Sequence, residues 1–379
     1  MALVEKITTG IKKLRHMNSI RSVTWRRLLR VMPQVYLDYR SGQGISHSLV
    51  NVTLEATYRC NARCAFCLAG KEAPTSERRE LSASEVGAVA ESVAPWGPGF
   101  FITGGEPFIR KDMLDIFEAI KRHGLKAGVN TNMSLVDEAM ARALNDIGLN
   151  YLIASLHGAR DIHDKIAGIE IHDRILDNIV CLRRVSPRTR ILVNCVVAPE
   201  SVAHLSDVVE ETARAGVHAL TLQHETFMTR REVETHERVW RSLFGEETPS
   251  PLSVPLRETE HSDGANLARA IAAAQETGRR LGLPVFVKPG LDDAALLAWH
   301  EGPFRPAGRC SYLYTDARVT PYGDVVACQS LPLVLGNVRE QTLPDIFNND
   351  VATRFRQRIH ASGGCIPGCA RCCKLYRSF

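Results

Sequence analysis

A chain of 379 residues is long enough for two or three domains, or for one barrel with an appendage. Its 45% hydrophobic and 23% charged residues fit a soluble globular protein, and no apolar run reaches the roughly 18 residues of a membrane span. The net charge of +5 is concentrated in residues 1–45, which carry +7; the remainder is slightly acidic, which argues against a nucleic-acid partner.

No apolar h-region with a small-residue cleavage site opens the chain, so the expected compartment is the cytoplasm, where thiols stay reduced. Residues 1–47 form a basic segment whose stretch EKITTGIKKLRHMNSIRSVTWRRLLRVM reads as short amphipathic helices. These either pack on the main domain or touch an anionic membrane surface or a carrier protein. From residue 48 short β-branched runs alternate with helical patterns. Strands are expected at 49–56, 99–105, 125–132, 150–158, 190–197 and 218–225. One helix opens at Ser82 or Ser84 with Glu85 close behind, and another closes at Gly124. Six such repeats predict an α/β fold, a partial (β/α)6 TIM-like barrel over 48–225, with chemistry at the carboxyl ends of its strands. Residues 226–302 read as linking helices with one further strand at 283–289. Residues 303–379 turn to short strands, Gly and Pro turns and cysteines, a small C-terminal domain whose core is thin enough to gain from a metal cluster.

Nine of the 11 cysteines fall into two groups, which in a reducing compartment points to metal or redox work. Cys181 and Cys195 stand alone and read as small buried hydrophobes. Cys60, Cys64 and Cys67, spaced C-x3-C-x2-C, follow the first strand. Three thiolates hold three corners of a [4Fe–4S] cube and leave the fourth iron open, as an open position separates catalytic from structural zinc. Residues 50–80 contain no further Cys or His to complete a zinc site. Gly104-Gly105-Glu106-Pro107 follows the second strand. Its glycines admit close backbone approach, and Glu106 supplies an anion for an amine.

The cysteine triplet, with Phe66 before its last member and GGEP after the next strand, resembles the radical S-adenosylmethionine (radical SAM) superfamily over residues 48–225. The resemblance implies that Cys60, Cys64 and Cys67 ligate a [4Fe–4S] cluster. It implies that Gly104, Gly105 and Glu106 position the methionyl amine of S-adenosylmethionine, with Phe66 among the cofactor contacts. Ser155, in ASLHG, matches a ribose-binding position, and Asn132 and Asn194 match positions near the cofactor. Taken as residues alone, these three are also ordinary strand-end polar groups. The implied chemistry is reduction of the sulfonium by one electron from a donor such as flavodoxin or ferredoxin. The resulting 5′-deoxyadenosyl radical abstracts hydrogen from an unactivated C–H bond.

The second group begins with Cys310 and Cys328, which flank a β-hairpin pattern turning at Pro321-Tyr322-Gly323-Asp324. The tail CIPGCARCC follows a helical pattern. Together they resemble the SPASM or shorter twitch extension, which carries auxiliary clusters. Six cysteines fall short of the full two-cluster set, so one auxiliary [4Fe–4S] cluster is expected. Its ligands would be Cys310, Cys328, Cys369 and Cys372, with Cys365 able to replace Cys369; a zinc site on the same thiols is the alternative. Such a cluster takes an electron from a substrate radical or relays one. Cys365 and Cys373, and less readily Cys195, are candidates to return a hydrogen atom.

His224 and Glu225, ending the sixth strand, are expected to face the barrel mouth and bind hydroxyl or amine groups. The function expected is dehydrogenation or epimerisation of a small polar metabolite or natural-product intermediate. A peptide-modifying maturase is the alternative, and a non-enzymatic iron–sulfur carrier the third reading.

Overall fold

Helix α1 (Trp25–Ser41) ends the basic segment, and it packs rather than floats. Val35 and Tyr39 are buried, with the Tyr39 ring 5.6 Å from Tyr314 and 4.9 Å from His360, while Tyr36 and Leu37 stay exposed. This computed structural model describes residues 25–68, 78–257, 264–301, 304 and 308–374, so the first 24 residues of the basic segment lie outside the described residues.

The βα repeat runs as expected. Its elements are β1 (Asn51–Thr57), α2 (Ala83–Val93), β2 (Gly99–Gly104), α3 (Met113–Arg122), β3 (Lys126–Thr131), α4 (Glu138–Ile147), β4 (Tyr151–Ser155), α5 (Arg160–Ala167), α6 (His172–Val185), β5 (Arg190–Val197), α7 (Leu205–Arg214) and β6 (Ala219–His224). Local chemistry explains the boundaries. Helix α2 starts at Ser82, not Ser84. The Ser82 hydroxyl accepts from the Glu85 amide at 3.3 Å, and Glu85 accepts from the Ser82 amide at 2.8 Å, a closed capping box. Val86, Val89, Ala90 and Val93 follow at helical spacing and are buried in the core it shares with the sheet.

The linking segment supplies α8 (Arg230–Phe244), α9 (Gly264–Leu281), β7 (Val285–Lys288) and α10 (Asp293–Glu301), and β7 adds to β6 in parallel. The cysteine-rich segment then contributes α11 (Tyr312–Thr315), β8 (Asp316–Val319), β9 (Asp324–Val326), β10 (Val334–Asn337), α12 (Leu343–Phe347) and α13 (Asp350–Ala361). Its strands do not stand apart from the barrel. Strand β8 pairs in parallel with β1, β9 and β10 follow as an antiparallel hairpin, and one ten-stranded sheet runs β10-β9-β8-β1-β2-β3-β4-β5-β6-β7. Without β8 the backbone edge of β1 would be bare.

Register sorts the inner face into layers. Thr53, Phe101, Gly128, Tyr151 and Arg318 share one row; Glu55, Thr103, Asn130, Ile153, Leu192 and Ala219 the next; Ser155, Asn194, Thr221 and Phe286 the one above. The floor is apolar: Tyr151, Leu192 and Ala219 pack with Phe101, Ile153 and Phe286, apart from the main core. Towards the carboxyl ends the row turns polar and half-exposed at Ser155, Asn194, Thr221, Gln223 and Lys288. A dry floor under a polar rim positions a site at the mouth.

Candidate active site

The loop after β1 carries the first three cysteines and is held at several points. The Arg63 amide donates to the Ala167 carbonyl at 2.8 Å and the Ala65 amide to Ile166 at 3.1 Å, which fixes the loop to the end of α5. Within it, the Cys67 amide donates to the Cys64 carbonyl at 3.1 Å. Asn132 holds the same loop. Its Nδ2 donates to Asn61 Oδ1 at 2.7 Å while its Oδ1 accepts from the Ser134 amide at 3.0 Å and hydroxyl at 2.7 Å. Burial pushes the Cys64 thiol up to about 12, with Cys67 and Cys60 adding to it; burial first, then Glu106 and Cys67, raise Cys60. The three thiols therefore lie near enough to feel one another. Among the described residues, no three His, Cys, Asp or Glu groups converge as for a single metal ion; a cube spreads its thiolates over separate corners.

The GGEP turn packs directly beneath this loop. The Gly105 amide donates to the Thr57 carbonyl at 2.7 Å and the Glu106 amide to Arg59 at 2.9 Å. A Cβ on Gly105 would lie 2.2 Å from the Arg59 carbonyl oxygen, and Gly104 holds φ +121° against Thr57. Only glycine permits that approach. Glu106 is fully buried. It accepts from the Thr131 hydroxyl at 2.7 Å, the Asn132 amide at 2.7 Å and the Phe108 amide at 3.1 Å. A carboxylate offers about four acceptor positions, of which these donors take three. Burial raises Glu106 to about 7 against the pull of these three donors.

Phe66 stands edge-on to His157, 4.8 Å between centroids. His157 Nδ1 accepts from the Val196 amide at 3.2 Å, and the His157 amide donates to His163 Nδ1 at 3.0 Å. Those backbone donors place the ring protons of both histidines on Nε2. Burial lowers them to about 3 and about 4, so Phe66 rests on a neutral ring. Beside it opens a cavity of about 370 Å³ lined by Phe66, Lys165, Glu200, Glu225 and Arg257, with Ala198 and Pro199. Burial raises Glu225, and the ion pair with Arg257 opposes that shift.

His224 is not at the mouth. Strand alternation puts Gln223 and Glu225 inward and His224 outward, where it is 1% exposed beside Trp299 and His300. Cys195 is likewise turned into the helix-facing core and fully buried, with its thiol pushed up to about 12, so it faces away from the barrel interior.

In the second group, the thiol of Cys369 is raised first by burial and then by Cys310, Cys328 and Cys372. Cys310 likewise feels Cys372 and Cys328, and Cys372 feels Cys373 and Cys328. Four thiols thus form one neighbourhood with Cys373 at its margin. Burial raises Cys365, which lies towards Tyr39 on the α1 side. Cys328 is also near Arg318, which pairs with Glu55 on the inner face of the barrel. The Tyr58 hydroxyl donates to that same Glu55 at 3.0 Å. The auxiliary thiols therefore border the barrel interior.

Comparison with known families agrees with this geometry. Residues 54–227 match the radical SAM superfamily, and residues 310–373 match SPASM, an iron–sulfur cluster-binding domain. The chain is a radical SAM protein with a SPASM domain. A radical SAM protein so equipped binds [4Fe–4S] clusters and S-adenosylmethionine, and the two groups of thiols are the donors present for such clusters. The Fe-coproporphyrin III synthase of Methanosarcina barkeri is 36% identical over 120 residues, 31% of this chain but only 30% of its own length. The AdoMet-dependent heme synthase of the same organism is 24% identical over 327 residues, 83% of this chain and 86% of the relative. Among solved structures, SuiB of Streptococcus suis bound to precursor peptide SuiA superposes with a TM-score of 0.62 at 14% identity, over 86% of this chain and 71% of SuiB, which is a likeness of fold.

Sequence reasoning on this radical SAM protein missed Lys165, Glu200 and Arg257 in the cavity, and the inward pair Glu55–Arg318. Only Glu55 left a signal, as a lone acid in the apolar run LVNVTLEA.

Proposed function

We propose that this radical SAM enzyme abstracts a hydrogen atom from a small polar metabolite or natural-product intermediate, leading to dehydrogenation or epimerisation. The observation that carries the reading is the mixed-charge cavity beside Phe66. Lys165 and Arg257 would meet an anionic group there, and Glu200 and Glu225 an amine or hydroxyl. At about 370 Å³ it lies at the small end of the range for small-molecule sites, about 300–1,000 Å³.

Cys60, Cys64 and Cys67 would hold the catalytic cluster, and Cys310, Cys328, Cys369 and Cys372 the single auxiliary one. With reducing equivalents from a flavodoxin- or ferredoxin-like donor, the clusters and S-adenosylmethionine supply the one-electron chemistry. The chain's own residues orient and shield. Glu106 would take an N–H of the methionyl amine on its remaining acceptor position. Ser155 and Asn194, paired in register on the inner face, would meet the ribose side. The apolar floor keeps water from below. Cys365 and Cys373 would be the candidates to return a hydrogen atom to a substrate radical.

The decisive experiment is deuterium transfer from labelled candidate substrates into 5′-deoxyadenosine by the reduced, reconstituted protein. Transfer from a small polar compound is expected, and Cys67→Ala should abolish S-adenosylmethionine cleavage. Transfer only from a peptide would move the assignment to the maturase reading, and wild-type protein that cleaves no S-adenosylmethionine would end both.

A further inference from the structure

Arg371 sits inside the C-x2-C pair Cys369–Cys372, yet it is only 1% exposed. Its backbone adopts φ +51°, a left-handed conformation that a long side chain enters at a cost. The surroundings over-determine it. Arg371 Nη1 lies 2.7 Å from both carboxylate oxygens of Glu232, and Nε donates to the Trp299 carbonyl at 2.6 Å. Its own carbonyl accepts from the Thr226 hydroxyl at 3.2 Å. Glu232 is itself fixed, closing the capping box of α8 on Thr229 and accepting from the Phe304 amide at 2.8 Å. One helical turn further, His236 Nδ1 accepts from the Gly368 amide at 3.0 Å. Helix α8 therefore grips the cysteine turn at two successive points.

The grip extends to the cavity. The Arg371 guanidinium carbon lies 4.2 Å from the centroid of Phe227, and so does that of Arg257. Two guanidinium groups cannot share one face of a ring at that distance, so Phe227 is clamped between them. On one side Arg257 pairs with Glu225 in the cavity wall; on the other Arg371 pairs with Glu232 and shapes the cysteine turn.

We propose that Arg371 is the positioning residue of the auxiliary cysteine turn, and that the Arg257–Phe227–Arg371 stack joins this turn and the cavity wall into one mechanical unit. The Cys369–Cys372 pair then keeps its ligating shape only while the buried Arg371–Glu232 pair is intact. A change at Arg257 is felt at the auxiliary cluster across the ring. This rests on the reading of Cys369 and Cys372 as auxiliary ligands.

The test uses the full chain, reconstituted with iron and sulfide, with three readouts: iron per chain, the EPR signal of each reduced cluster, and S-adenosylmethionine cleavage. Wild type should hold about 8 iron atoms. Arg371→Lys keeps the charge but loses the several donors, and Glu232→Gln is the milder partner variant. Both should lose about half the iron and the auxiliary signal while keeping the catalytic cluster's signal and its cleavage. Arg257→Ala should keep full iron and shift the auxiliary signal while leaving the catalytic cluster's EPR signal where it is. Full iron with unaltered auxiliary signals in the first two variants overturns the positioning role; an unmoved signal in Arg257→Ala overturns the link across Phe227. A Cys369→Ala control separates the premises: if it retains full iron, the ligand assignment has failed rather than the role of Arg371.

Discussion

At the scale of the residue, Glu106 shows how far short motifs carry. GGEP is contiguous, so its glycines and its acid were legible, as was the cysteine triplet. Two of the three donors that occupy Glu106 were not, because Thr131 and Asn132 come from the end of the next strand. The burial of this carboxyl sets up a pH dependence. Burial raises the carboxyl from 4.5 to about 7 in the folded chain. Between these values the folded state binds the proton more tightly than the unfolded, so this group's contribution to stability falls as pH rises. Amine binding runs the other way, since an N–H needs the carboxylate. Affinity for S-adenosylmethionine should therefore weaken by about tenfold from pH 8 to pH 6. Equilibrium binding to the reconstituted protein checks this, and Glu106→Gln should bind weakly throughout without that drop. A wild-type affinity flat across the range would remove Glu106 as the amine's acceptor. Arg257 and Arg371 left no comparable trace in the sequence. Their partners Glu225 and Glu232 are 32 and 139 residues away, and nothing local announces a pair at that separation.

At the scale of the element, periodicity served well where it was strong. Every expected barrel strand forms, because a β-branched run between turn residues has few alternatives. Which face a strand-end residue takes is decided by parity, and there His224 was misplaced by one position. The same parity explains Gly128. It sits on the inner face of β3 opposite Tyr151, where an added Cβ would lie 2.1 Å from the ring carbon Cζ. The Tyr151 ring stacks on Phe101 at an interplanar angle of 8° and plugs the floor of the barrel. Gly128→Ala should therefore cost about 1–3 kcal/mol through overpacking. Urea unfolding would measure it, and Tyr151→Leu in the same chain should recover most of the loss by vacating the space. A Gly128→Ala chain as stable as wild type would mean the ring has room to move.

At the scale of the whole molecule, the pairing of β8 with β1 joins residues about 265 apart, and no local pattern foretells it. Its consequence is that sheet and core, rather than iron, hold the C-terminal segment in place. Leu313, Tyr314, Val319, Val325, Ile346, Phe347 and Phe355 belong to the same buried cluster as Val52, Leu54 and Val89 of the barrel. Each such side chain contributes about 1.5–3 kcal/mol by burial, against a typical net stability of about 5–15 kcal/mol. A chain cut after residue 302 would expose that apolar surface and the backbone edge of β1 together, so it should aggregate or lack cooperative unfolding even when supplied with iron and sulfide. The complementary variant removes the thiols and keeps the sheet. Full-length protein with Cys310, Cys328, Cys369 and Cys372 all changed to Ala should stay soluble and unfold in one transition, at a lower temperature than the reconstituted wild type. Thermal unfolding followed by circular dichroism distinguishes the two. A cooperative 1–302 fragment, or a quadruple variant without a folded baseline, would show that the iron site rather than the sheet is what fastens the two ends of the chain.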